Sequence, residues 1–135
     1  MQKPFASEPE LFVTTRELDH RALHALDDTE AVLDWSKTKP ILSSSYAAKT
    51  GRPSYPLLTL FRGLLLGGWY RLSDVQLSQW LYRDLLFRKF CHLELGGDVP
   101  EASTLGRFRN QLVEHDPWER LLGEIDRQLD AKTLS

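Results

Sequence analysis

Residues 51–93, GRPSYPLLTLFRGLLLGGWYRLSDVQLSQWLYRDLLFRKFCHL, constrain the fold more than any other stretch. Gly51 can take positive φ, and Pro53 and Pro56 fix the backbone ahead of a helix. From Leu57 to Tyr70 the chain is apolar almost all round, with Thr59 and Arg62 the polar exceptions. A helix apolar on every face must be buried, so this one is expected at the centre of a bundle. Gly63 and Gly67, at i and i+4, would let a neighbour come close. Ser73 and Gln76 then form the S-x-x-Q pattern of a capping box. Leu77, Trp80, Leu81 and Leu85 follow at i, i+3, i+4 and i+8, which predicts one core-facing stripe.

The flanking segments also read as helix. Residues 1–15 are polar with scattered apolar groups and are expected to be a flexible arm preceding a helical domain over 16–135. A short apolar face is carried by Leu18, Leu23 and Leu26. Asp28 or Thr29 could cap a second short helix bearing Ala31, Val32 and Trp35, with Trp35 a core anchor. Lys37–Pro40 should interrupt it and Ile41–Ala47 resume. Phe87, Phe90 and Cys91 at i, i+3 and i+4 predict another helical turn, with Cys91 a small buried hydrophobe. Gly96–Pro100 is a loop.

Beyond that loop, Ser103 or Thr104 can cap a helix whose buried side is Leu105, Phe108 and Leu112. Thr104, Arg107, Asn110 and Gln111 fall on the other side. Asp116, Pro117 and Glu119 make a start signal for a last helix. Its apolar face is Trp118, Leu121, Leu122, Ile125 and Leu129. No stretch alternates as a strand does. The expectation is an all-α fold, a small helical bundle with a helix-turn-helix-like segment over Ser73–His115.

Charge and chemistry narrow the function. The net charge is −2, but its distribution is uneven. Residues 1–48 carry 5 basic and 8 acidic groups, 49–95 carry 7 and 3, and 96–135 carry 5 and 8. A basic excess therefore sits on the central stretch, enough to steer phosphate. One cysteine excludes a disulfide framework and a thiolate metal cluster. His20 and His24 have ligand spacing, i and i+4, but no third ligand nearby, so they read as two exposed histidines. The P-loop, dinucleotide, zinc and nucleophile-elbow motifs are all absent. Acids near Arg120, Glu124 and Arg127 read as surface ion pairs. Neither a cofactor nor an enzymatic activity is implied. With no secretory signal at the N-terminus, and Leu57–Tyr70 short of the roughly 20 residues a bilayer requires, a cytoplasmic protein without a membrane span is expected.

The helix near Ser103 is the candidate site. Its N-terminal turn could offer hydroxyls and backbone N–H groups to phosphate, and arginines to guanine edges. The candidate DNA-binding residues are Ser103, Thr104, Arg107, Arg109 and Asn110. Arg107 and Asn110 are placed as base readers, and Thr104 and Arg109 as phosphate contacts. Arg109 has an alternative use, pairing with Glu114 or Asp116. Arg83, Arg88 and Lys89 are the alternative DNA surface.

The GRPSYP, LSD and STLGRFR motifs, with Leu33–Trp35 upstream, resemble the N-terminal domain of InsH-type bacterial transposases. These are insertion-sequence enzymes of family five and the DDE class. The resemblance covers about residues 30–115. It implies that this region recognises the terminal inverted repeats of a mobile element. A separate RNase H-like domain, holding two metal ions on two Asp and one Glu, would cut DNA. No residue here matches those carboxylates, and the chain stops about where that domain's first strand would begin. A DNA-recognition domain without its catalytic partner is therefore expected. The alternative is a protein-interaction module that joins transposase subunits, or a homo-oligomer, through the Trp118–Leu129 face.

Overall fold

A computed structural model describes residues 21–46, 55–114 and 118–134. The expected N-terminal arm, His20 and the Asp116–Pro117 start signal lie outside the described residues. Within them there are seven α-helices and no strand. They are α1 (Arg21–Val32), α2 (Lys39–Tyr46), α3 (Leu57–Trp69), α4 (Asp74–Arg83), α5 (Leu85–Cys91), α6 (Ala102–Glu114) and α7 (Trp118–Leu134), with a 3₁₀ turn at Trp35–Lys37.

The apolar helix is central, as its composition requires. Thr59 through Leu66 are all buried, and α3 packs against α2, α4, α5 and α6. Its last turn emerges: Gly68, Trp69 and Tyr70 are exposed. Gly67 is where α4 approaches most closely, since a Cβ there would lie 3.3 Å from Leu77 Cδ2. Beside Gly63 the neighbour is Leu105 of α6.

Arg62, the polar exception, is buried and paired through its Nη1, while its Nε has no partner among the described residues. Its Nη1 donates to Glu30 Oε2 at 2.7 Å and to the Phe90 carbonyl at 2.9 Å. The guanidinium lies 4.1 Å from the centroid of the Trp35 ring. Trp35 Nε1 in turn donates to Glu30 Oε1, and its ring meets Phe61 and Phe90 edge-on. Four elements thus meet at one charged group. Burial of a cation requires such pairing.

Local expectations hold at some helix ends and fail at others. Ser73 and Gln76 form the reciprocal capping box. Asp28 and Thr29 do not start a helix. They lie within α1, where Thr29 Oγ1 donates back to the Ala25 carbonyl; a hydroxyl can satisfy itself that way without ending the helix. Asp34 is the actual cap, accepting from Ser36 N as the 3₁₀ turn begins. The helix after it starts at Lys39, with Pro40 in its first turn, where no N–H is needed.

The Leu77–Leu85 stripe is also corrected. Leu77 and Leu81 are buried, whereas Trp80 is 41% and Leu85 61% exposed. For Leu85 the cause is Asp84, whose extended backbone (φ −106°, ψ 112°) ends α4 and caps α5 by accepting from Leu86 and Phe87 N–H. Leu85 therefore opens a new helix with a new direction. That redirection buries Phe87, Phe90 and Cys91, as their spacing predicts. Burial pushes the Cys91 thiol up to about 12, so at neutral pH it is a protonated core group.

Candidate functional site

Helix α6 begins at Ala102, directly after buried Val99 and Pro100. Leu105, Phe108 and Leu112 are all buried, which fixes the roll of the helix. Ser103 and Thr104 lie inside its first turn instead of capping it. The Leu105 N–H bonds the Glu101 carbonyl at 3.0 Å, so Glu101 occupies the capping position.

That roll turns Ser103, Arg107, Asn110 and Glu114 to solvent, a stripe at i, i+4, i+7 and i+11. The Arg107 side chain makes no hydrogen bond or ion pair with any described residue. Glu114 puts negative charge at the far end, and Glu101 puts another at the N-terminal end. Thr104 is half-buried at the edge. Gln111 is half-buried too, and its Oε1 has no partner.

Arg109 is differently placed. Both of its terminal nitrogens reach the carboxylate of Asp74, the first residue of α4. Gly106 makes room for this contact, since a Cβ there would lie 3.3 Å from Asp74 Oδ2. The partner is thus Asp74, 35 positions away, and not Glu114, while Asp116 lies outside the described residues. A bidentate fork across two helices sets their separation. At the other end Ser78 Oγ donates to the Pro100 carbonyl at 2.9 Å, tying the loop before α6 to α4. Four of the five candidate residues thus lie on the open side or edge of α6, while the fifth braces it against α4.

The alternative surface over Arg83, Arg88 and Lys89 does not survive as a unit. Arg83 is exposed, but Lys89 Nζ sits 3.0 Å from Asp27. Arg88 is buried: its Nε donates to the Leu81 carbonyl and its Nη1 to those of Glu94 and Gly97. A side chain spent on carbonyls has nothing left for phosphate.

The Trp118–Leu129 face is turned inward. Leu121 and Ile125 are fully buried, and Trp118, Leu122 and Leu129 pack against the same core. Gln128 holds the helix in place by accepting from Asp34 N at 2.7 Å. Glu124 and Arg127 form the expected surface pair, which pulls the glutamate down to about 2. Among the described residues no group of three or more His, Cys, Asp or Glu could hold a metal ion, and no helix is long and apolar enough to cross a membrane.

The described residues form an all-α bundle that presents one braced helix, with an arginine and an asparagine on its open side. Residues 15–111 match the model of the family described as Transposase domain (DUF772), and the chain belongs to that family. No solved structure matches the chain.

Proposed function

We propose that this chain is the DNA-recognition domain of an insertion-sequence transposase of the InsH type, family five of the DDE class, and that it reads terminal inverted repeats through α6. The observation that carries the reading is the outward stripe of Ser103, Arg107 and Asn110, with the Arg107 side chain unpaired among the described residues, on a helix rolled by three buried apolar residues. Membership of a transposase-domain family supports a partner of this kind. Arg107 and Asn110 have the donor geometry for guanine and adenine edges. Ser103, Thr104 and the amides of the first turn suit phosphate. Arg109 holds α6 against α4 and offers only its solvent edge to the backbone.

Arg107→Ala should cost about 1–3 kcal/mol on the repeat duplex and relax the preference at one base pair. Arg109→Ala should weaken repeat and scrambled duplexes alike. The check is a titration of both duplexes at two salt concentrations, with circular dichroism to confirm folding. Folded Arg107→Ala protein that binds both as wild type does would place the interface elsewhere.

In this reading the chain binds and does not cut. Incubated with repeat-end DNA and Mg²⁺ or Mn²⁺, the purified protein should nick no faster than a mock preparation. Nicking above that background, lost with a single carboxylate substitution, would overturn it. The interaction-module alternative has no observation of its own in favour, since its proposed docking face packs inside the bundle.

A further inference from the structure

Three large aromatic side chains near the ends of α3 and α4 are exposed without an obvious structural reason: Trp69 at 37%, Tyr70 at 43% and Trp80 at 41%. They are fixed from beneath. Tyr70 and Trp80 both pack against buried Phe87 in tilted contacts, with centroids at 5.0 and 5.4 Å, and Trp69 leans on buried Phe90 at 5.9 Å. Each ring therefore has one side packed and another open to solvent.

Two cations flank them. Arg71 follows Tyr70 directly and is held at φ +55°, a left-handed conformation unfavourable for an arginine. Arg83 lies three residues after Trp80, one turn along the same helix. Both are exposed, and neither side chain makes a hydrogen bond or ion pair with a described residue. Of the acids on α1 and between α4 and α5, Asp84 caps α5 and Asp27 pairs with Lys89.

We propose that Tyr70 and Trp80, flanked by Arg71 and Arg83, form a stacking platform for unpaired bases of a single nucleic-acid strand. Packed aromatic faces beside free arginines match both parts of such a ligand, its bases and its phosphates. A second copy of this chain is a poorer match. A two-fold contact would oppose the patch to itself and bring its arginines together. The position also fits. Helix α4, which carries Trp80, packs against both α5 and α6. A strand unpaired at the end of a duplex bound on α6 could cross α4 to reach the platform. This last point rests on the duplex-reading role of α6; the stacking itself does not.

The test uses oligo-dT of about 12 nucleotides, followed by anisotropy and tryptophan quenching, beside the repeat duplex. Wild type should bind oligo-dT with quenching. Trp80→Leu, which keeps an apolar cover on Phe87, should weaken that binding by about tenfold, as should Tyr70→Leu. Arg83→Gln should weaken it less, and none of the three should alter the preference for the repeat over a scrambled duplex. Absence of oligo-dT binding by wild type at low salt would overturn the proposal. So would folded Trp80→Leu and Tyr70→Leu proteins that bind oligo-dT unchanged. A wild-type dimer in sedimentation that Trp80→Leu converts to monomer, with oligo-dT affinity retained, would assign the patch to self-association. Loss of repeat preference in Arg107→Ala reports on α6 alone, so either idea can fail without the other.

Discussion

Glu30→Ala is expected to destabilise the fold by about 3–5 kcal/mol, the range for a buried ion pair broken from one side. The asymmetry of the pair decides which partner matters more. The Arg62 side chain is 4% exposed and that of Glu30 is 36%. Deleting Glu30 strands a guanidinium that cannot reach water, leaving it only the Phe90 carbonyl and the Trp35 face. It also removes the acceptor of Trp35 Nε1. Arg62→Met leaves a carboxylate that can turn outward, so it should cost less. The double variant should be more stable than Glu30→Ala alone, because the stranded charge is gone. Urea unfolding of the four proteins gives the coupling directly. A Glu30→Ala midpoint equal to wild type would mean that the pair contributes nothing.

The same charged group shows where sequence reading succeeds and stops. Periodicity reports what a helix does with its own neighbours. It finds the burial of Leu105, Phe108 and Leu112 and that of Leu121 and Ile125, because each set repeats within one helix. The capping box at Ser73 is legible for the same reason, being complete within four residues. Arg62 reads from sequence only as an exception on an apolar helix. Its partners lie 32 and 28 positions away, and no local pattern announces them.

Asp84 escapes notice because its effect is to break a pattern that otherwise continues. Leu77, Leu81 and Leu85 keep helical spacing straight across it, yet one extended residue turns Leu85 out to solvent. A signal was present, since Asp followed by an apolar run is an N-cap pattern. At the candidate site the exposed stripe of α6 follows directly from its apolar complement. The engagement of Arg109 does not, because Asp74 reaches it across a helix crossing that Gly106 permits.

Arg88→Ala should cost about 3 kcal/mol and should act on DNA binding only through the fold. Four carbonyls accept from this side chain: Leu81 and Glu94 at 2.8 Å, Gly97 at 3.2 Å and Tyr82 at 3.5 Å. Leu81 belongs to the last turn of α4, where helical carbonyls lack partners of their own. Glu94 and Gly97 belong to the loop that leads into α6. One guanidinium therefore joins the end of one helix to the approach of another, and each buried acceptor left unsatisfied costs about 1–3 kcal/mol. Water can reach the loop carbonyls more readily than Leu81, which keeps the total near the low end of a full sum. Arg88→Lys should recover little, because a single ammonium cannot span acceptors set by a planar fork. Thermal unfolding and duplex titration, done on the same samples well below the transition, separate the two effects. If Arg88 is structural, the folded fraction of each variant binds with nearly wild-type affinity. A variant of wild-type stability that binds duplex more weakly would instead make Arg88 a direct contact, and would bring back the Arg83–Lys89 surface as the place where DNA sits.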